Sequence, residues 1–334
     1  MSSRLRPSYA ALALTCLLAI AALSAMVGPA ATAAAPVPHP VSVSLSGVPG
    51  TVALNRRIPV TGTVVDATVH APVAGARVAL EVQSSRGWAS PPGTSAVTDA
   101  HGRFTLSAPT FYYGRHVFRV SVAAHAGVDA AIAAGSSTAG VVTVPVPYRA
   151  AGRASSGRSD ATRFDPCEPV PYRINFAGAP RNARALVTAA LGRARAATGL
   201  TFTYAGSYSG VPFSRQRNGG LPSSGIGFAW STSRTVSGLA GATIGLGGGG
   251  WAVNDRRTSS GVVIDRSFRF RQGWTGANSI GGLLLHELGH ALGLEHVKDR
   301  SQQMYPLDIG APNGNYNRGD LAALRRVGLD AGCL

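Results

Sequence analysis

The sequence predicts a multidomain chain with two folded halves of different class: an all-β sandwich over residues 40–147 and an α+β domain over 164–334, joined by a linker at 148–163. Three observations carry this. In the first half, apolar and polar residues alternate with period two at 41–45, 78–82, 117–120 and 141–144, between Gly, Pro, Asn and Asp turns, as short half-buried strands do. In the second half, strand-like runs are interleaved with runs of helical period. Between them, residues 150–163 carry Gly, Ser, Arg and Asp without a sizeable aliphatic side chain, which reads as a flexible segment.

Ahead of the sandwich, Arg4 and Arg6 precede an apolar run at 10–25, and Ala31-Thr32-Ala33 offers a small-residue cleavage site. Residues 1–33 therefore read as a signal peptide, with a secreted, extracellular chain beginning near Ala34. Cys16 lies within the run and follows Thr15, not the small residue that lipid attachment favours. No other stretch is long and uncharged enough to span a bilayer. Removal of the leader leaves Cys167 and Cys333, an even pair that reads as a disulfide in an oxidising compartment. Closing so long a loop contributes about 4–5 kcal/mol on the chain-entropy account.

The net charge of +16 comes almost wholly from arginine. Adhesion to acidic cell-wall polymers is one reading and compositional bias the other. The arginines form no basic run and no patch interleaved with aromatics, so a specific nucleic-acid partner is not expected. The chain is expected to be monomeric.

In the second half, 171–176 alternates like a strand, 182–198 is an Ala/Arg-rich helical run stopped by Gly199, and 200–204 is a second strand. Further short strands fall at 226–230 and 261–265, with a Gly-rich stretch at 245–251 between them. A helix begins near Asn278 or Ser279. Its stripe of Ile280, Leu284, Leu288, Ala291 and Leu292 is expected to be buried, with His286 and His290 on the opposite side facing a cleft. A last short helix covers 320–327, capped near Asn317. A twisted mixed sheet with the histidine helix behind it follows from this order.

Residues 286–296 read HELGHALGLEH. On a helix, His286 and His290 project from one face at a separation that one metal ion bridges. Gly293 can take positive φ, end the helix and return His296 to the same ion. Three nitrogens with a fourth position open define a catalytic zinc site, and Glu287 is left for proton transfer. The alternative of three histidines with no shared role is disfavoured by their distribution. Of eight histidines, the five others all lie at or before residue 125.

This motif, followed by Met304-Tyr305-Pro306, resembles the metzincin (zincin-like) clan of zinc endopeptidases, and within it the matrixin-like catalytic domains of secreted bacterial proteins. The resemblance implies one catalytic Zn2+ held by His286, His290, His296 and water, and Met304 in a turn beneath the metal. It makes Tyr305 and Pro306 the wall of the primed-side pocket. Pro306 stands where some relatives carry a tyrosine ligand, Val297 where matrixins usually have serine, and Asp308 where that wall often has tyrosine. No histidines remain for the second, structural zinc that matrixins commonly hold. Asp255 and Asp265 are candidates for the family's Ca2+, although isolated aspartates read more simply as turn residues. The stretch 98–104 is similar to the Asp-x-x-Gly-x-Phe hairpin of bacterial Ig-like modules.

The expected function is secreted, zinc-dependent endopeptidase activity on protein or peptide, with Glu287 as general base and acid. Extended peptide is expected to pair with the sheet edge around 247–253. A zinc hydrolase of non-peptide bonds and a catalytically silent Ig-like adhesin are the alternatives. In a competing role, Cys167 would be a thiolate ligand imposing latency. A piece spanning 164–334 is expected to fold alone, because the motif and both cysteines lie within it.

Overall fold

Among the described residues, eleven strands make up the first half: β1 (Val41–Ser46), β2 (Ile58–Asp66), β3 (Arg77–Ser84), β4 (Gly87–Ala89), β5 (Ser95–Val97), β6 (Arg103–Ala108), β7 (Gly114–Val122), β8 (His125–Ala126), β9 (Ala131–Ile132), β10 (Gly135–Ser136) and β11 (Gly140–Val144). The computed structural model describes residues 37–91, 93–108, 110–126, 131–152, 162–307 and 313–334. The expected signal peptide, the middle of the expected linker and Asp308 lie outside the described residues.

Strand order β1-β2-β6 forms one antiparallel sheet; β3 and β7 form the centre of another, with β4 and β5 added to β3 and β10 and β11 to β7. The inward residues of both meet in one core, with Val60, Val64, Phe104 and Leu106 facing Val78, Leu80, Phe118 and Val120. The segment 98–104 is a tight turn in which Asp99 Oδ1 accepts from the amides of His101 and Arg103, each at 2.8 Å. It is not a hairpin: β5 pairs with β3 and β6 with β2, so the turn carries the chain from one sheet to the other.

The second half adds β12 (Val170–Ile174), α1 (Ala183–Thr198), β13 (Phe202–Ser207), β14 (Gly225–Ser231), β15 (Gly245–Gly248), β16 (Ala252–Val253), β17 (Arg256–Arg257), β18 (Ser259–Asp265), α2 (Ile280–Ala291) and α3 (Arg318–Val327). Its sheet has the order β13-β12-β14-β18-β15. The first four strands are parallel, and β15 is an antiparallel edge. Every residue of β14 and β18 is buried, as expected for central parallel strands covered on both faces. One face packs on α1 and α2, where Ile226, Phe228 and Val262 share a core with Val187, Leu191 and Leu284. The other face is covered by Val236, Leu239 and the partly buried Val211, Phe213 and Leu246.

The expected helices and strands of this half are present. α1 ends at Gly199, whose φ of 76° lets its amide return to the Arg195 carbonyl, the left-handed stop that glycine allows. Cys167 and Cys333 are joined by a disulfide with Cα atoms 5.4 Å apart, so Cys167 is not a thiolate ligand.

The two halves share a core. Tyr113 and Val144 of the sandwich are buried in the same cluster as α1, α2 and α3. The seam is also hydrogen-bonded, from the Tyr113 amide to the Ala196 carbonyl (2.7 Å) and from the Ser85 amide to the Asp330 carbonyl (2.9 Å). Residues at the start of the expected linker are held rather than free: Tyr148 donates its hydroxyl to the Tyr316 carbonyl (2.8 Å), and the Ala151 amide donates to Asn317 Oδ1 (2.9 Å). Among the described residues, no helix is long and apolar enough to cross a membrane.

Candidate metal centre

As expected, α2 buries its aliphatic stripe and turns His286 and His290 to a cleft, but the helix is buried almost all round. His286 and Glu287 are buried along with the aliphatic stripe. The reason is β15, which lies directly on the helix. A Cβ on Gly245 would come within 2.9 Å of Glu287 Oε1, and one on Gly247 would overlap the Glu287 carbonyl. Only glycine permits this approach. At the start of the helix, Ser279 is the N-cap by backbone position but makes no side-chain cap bond. The loop before it caps instead: the Ile280 and Gly281 amides donate to the carbonyls of Arg271 and Gly273.

At the other end, Gly293 takes a φ of 106°, and the Leu294 amide returns to the Gly289 carbonyl at 3.0 Å. This turn brings His296 back to the helix. The three Nε2 atoms of His286, His290 and His296 lie 3.1–3.2 Å from one another. His286 Nδ1 donates to the Gln303 carbonyl (2.8 Å) and His290 Nδ1 to the Leu294 carbonyl (2.7 Å), which leaves their Nε2 atoms as lone pairs. The lone pairs of His286 and His290 cannot satisfy each other, and a cation shared with His296 Nε2 would engage all three. Zinc fits this donor set, since its imidazole ligands stand about 2.0–2.1 Å from the ion.

Burial, followed by the neighbouring His290, lowers the His286 pKa from 6.5 to about 3. Burial also lowers His290 and His296. All three are therefore neutral at physiological pH, the form a metal ion takes up.

Met304 is fully buried, and its sulfur lies against Gly289 so closely that a Cβ there would overlap it. The Val297 amide donates to the Met304 carbonyl at 3.0 Å. Asp320, buried on α3, secures this turn. Its carboxylate accepts from the amides of Gln303 (2.8 Å), Met304 (3.2 Å) and Asn317 (2.8 Å). A chain of contacts thus runs from Asp320 through Gln303 to His286. Sequence reasoning missed Gln303 and Asp320, because neither carries a local signal that it reaches the histidines.

A cleft of about 820 Å3 is lined by His286, Glu287, His290 and His296, by residues 241–247 and by Pro306 and Leu307. Phe268, Asn278 and Leu283 also line it. Tyr305, expected in the wall with Pro306, instead lies beneath the Arg300 guanidinium, 5.6 Å from its ring centroid. The part of β15 that lines the cleft is 245–247, short of the expected 247–253, because Ala252 and Val253 pair with Arg257 and Arg256 in a separate hairpin. A cavity of similar size, about 810 Å3, lies by Glu168 and Arg256, but the histidine cluster is not in it.

Among the described residues, two groups could hold a metal: the three histidines, and Asp165 with Cys167 and Cys333. The sulfurs of the second are consumed by the disulfide. Asp255 and Asp265 belong to neither. Asp265 Oδ1 accepts from the Ser267 amide (2.9 Å) and hydroxyl (2.6 Å), the arrangement of a turn residue.

Residues 242–326 match the family model described as matrixin. The match spans β15, β18, α2, the methionine turn and most of α3, and it supports a matrixin-like metallopeptidase. No curated protein matches the chain.

Proposed function

We propose that this chain is a secreted zinc endopeptidase that hydrolyses peptide bonds in the cleft beside β15, with Glu287 as general base and then general acid. The convergence of three imidazole nitrogens on one point carries the reading. Secretion is supported by the leader-like sequence at 1–33 and by the disulfide. An Ig-like assignment of the sandwich rests on its two packed antiparallel sheets and the Asp99 turn.

When bound, zinc supplies the positive charge that lowers the pKa of a water toward ~7 and stabilises negative charge on the substrate carbonyl. The chain's own residues do the rest. His286 and His290 are held in one tautomer by the carbonyls of Gln303 and Leu294. Glu287, adjacent to His286 in the cleft, takes a proton from the attacking water and delivers it to the leaving amine. The edge of β15 offers backbone groups to an extended peptide, as strand addition requires.

Glu287→Ala tests the assignment. The variant should bind about one zinc per chain yet lose roughly 10²–10⁴-fold in peptide hydrolysis, the scale of general acid–base catalysis. Metal analysis beside a quenched-fluorescence peptide assay reads both. Substantial residual turnover, or loss of zinc, would remove Glu287 from this role.

A further inference from the structure

At the carboxyl ends of the parallel strands, where open α/β sheets take their ligands, a cavity of about 270 Å3 lies beside the cleft. Leu186 of α1, Trp230 of β14, Ile280 of α2 and the loop residues Phe268 and Phe270 give it apolar walls. Polar atoms come from Asn182, Arg266 and Gln272, and among the described residues no carboxylate lines it. Trp230 is only 5% exposed, and its indole N–H has no acceptor. That N–H is sealed from the cavity, so Trp230 presents its apolar ring to an occupant. Phe268 belongs to both this cavity and the zinc cleft, so the two adjoin.

The direction in which a peptide would reach the cavity follows from the edge strand. Gly245 lies against Glu287 and Gly248 against His290, so β15 and α2 run the same way along the cleft. A peptide added antiparallel to β15 therefore sends its C-terminal part toward residues 241–244 and the start of α2, where Phe268 and Ile280 stand. We infer that this cavity is a remote subsite for the segment downstream of the scissile bond, taking an apolar side chain against Leu186, Trp230, Phe268, Phe270 and Ile280. The inference rests on the peptidase reading. It adds a length and sequence requirement that the zinc cleft alone does not impose.

The test is a set of peptides sharing one cleavage sequence, extended at the C-terminus by alanines with a single leucine moved along them, and a matching N-terminal set. With the full zinc-loaded chain, one C-terminal register should raise kcat/KM roughly tenfold, mainly through KM, the scale set by burying part of an apolar side chain. Ala179→Phe, at a half-buried lining position outside the zinc cleft, should fill the cavity and abolish the gain while leaving turnover of the shortest peptide unchanged. No gain at any C-terminal register, a gain that survives Ala179→Phe, or a gain confined to N-terminal extensions would overturn the subsite.

If even the shortest peptide is not hydrolysed, the peptidase reading fails. The cavity is then judged by binding of the extended and short peptides to the same chain, followed through the Trp230 indole N–H resonance. A selective shift with the leucine-bearing extension, lost in Ala179→Phe, supports the pocket; equal affinity for both peptides without that shift refutes it.

Discussion

Asp320 shows how a residue remote in sequence sets the geometry of the converging histidines. Its carboxylate receives three backbone amides from two segments, and one of those segments presents the carbonyl that orients His286. Burial pushes its pKa up to about 6, against the pull of those amides, so it is ionised at pH 7 and acts only as an acceptor. Asp320→Asn puts an amide donor against donors that already point inward. We expect a loss of about 2–4 kcal/mol in stability together with weaker zinc binding, read by denaturant titration and by competition with a chelator. Unchanged zinc affinity in a destabilised variant would leave Asp320 as a fold residue and break the link to His286. The histidine cluster was legible in the sequence because three histidines and a glycine are spaced by helix geometry. Gln303 and Asp320 were not, because their contacts join segments that have no fixed spacing.

At the scale of elements, the closeness of β15 to α2 decides both the burial of the site and the position of the substrate edge. The glycines at 245 and 247 allow it. Gly247→Ala would drive its methyl into the helix backbone, an overpacking worth about 1–3 kcal/mol. The strand must then move away from Glu287. The expected outcome is a fall of at least about tenfold in peptide turnover with the three histidines still able to bind zinc. Normal turnover would show that the edge strand tolerates displacement and does not position substrate. The Gly-rich run was visible as a composition, but the strand's extent was not. Glycine gives no alternating pattern, and pairing with β18 ends where the chain turns off into its own hairpin.

For the whole molecule, the seam between sandwich and peptidase-like half changes what a truncation can be expected to do. Tyr112, Tyr113 and Val144 are buried, and Tyr113 and Val144 share the core of α1 and α3. A piece spanning 164–334 would expose the surface they cover. At about 1.5–3 kcal/mol per buried apolar side chain, the piece should be less stable than the full chain by roughly 5 kcal/mol. Thermal unfolding by circular dichroism, with zinc content measured in parallel, checks this. Equal melting temperatures would show that the piece folds autonomously, as the linker composition implies. Residues 150–163 resemble a linker because composition reports the lack of aliphatic side chains. It does not report the amide bond by which Ala151 is held to Asn317.

The sequence by itself determined the histidine cluster, the disulfide partners, the strand-rich first half and the order of strands and helices in the second. Each of these is written in local spacing, in alternation of period two or 3.6, or, for the cysteines, in there being a single pair outside the leader-like run at 1–33. The tertiary structure alone decided that α2 is buried on both sides, that Pro306 and Leu307 rather than Tyr305 line the cleft, and that Asp320 holds the turn beneath the histidines. It also decided that the two halves share a core. These depend on contacts between segments far apart in the chain, whose strength is set by close packing and by the pairing of buried polar groups, and no local pattern encodes which distant surfaces will meet.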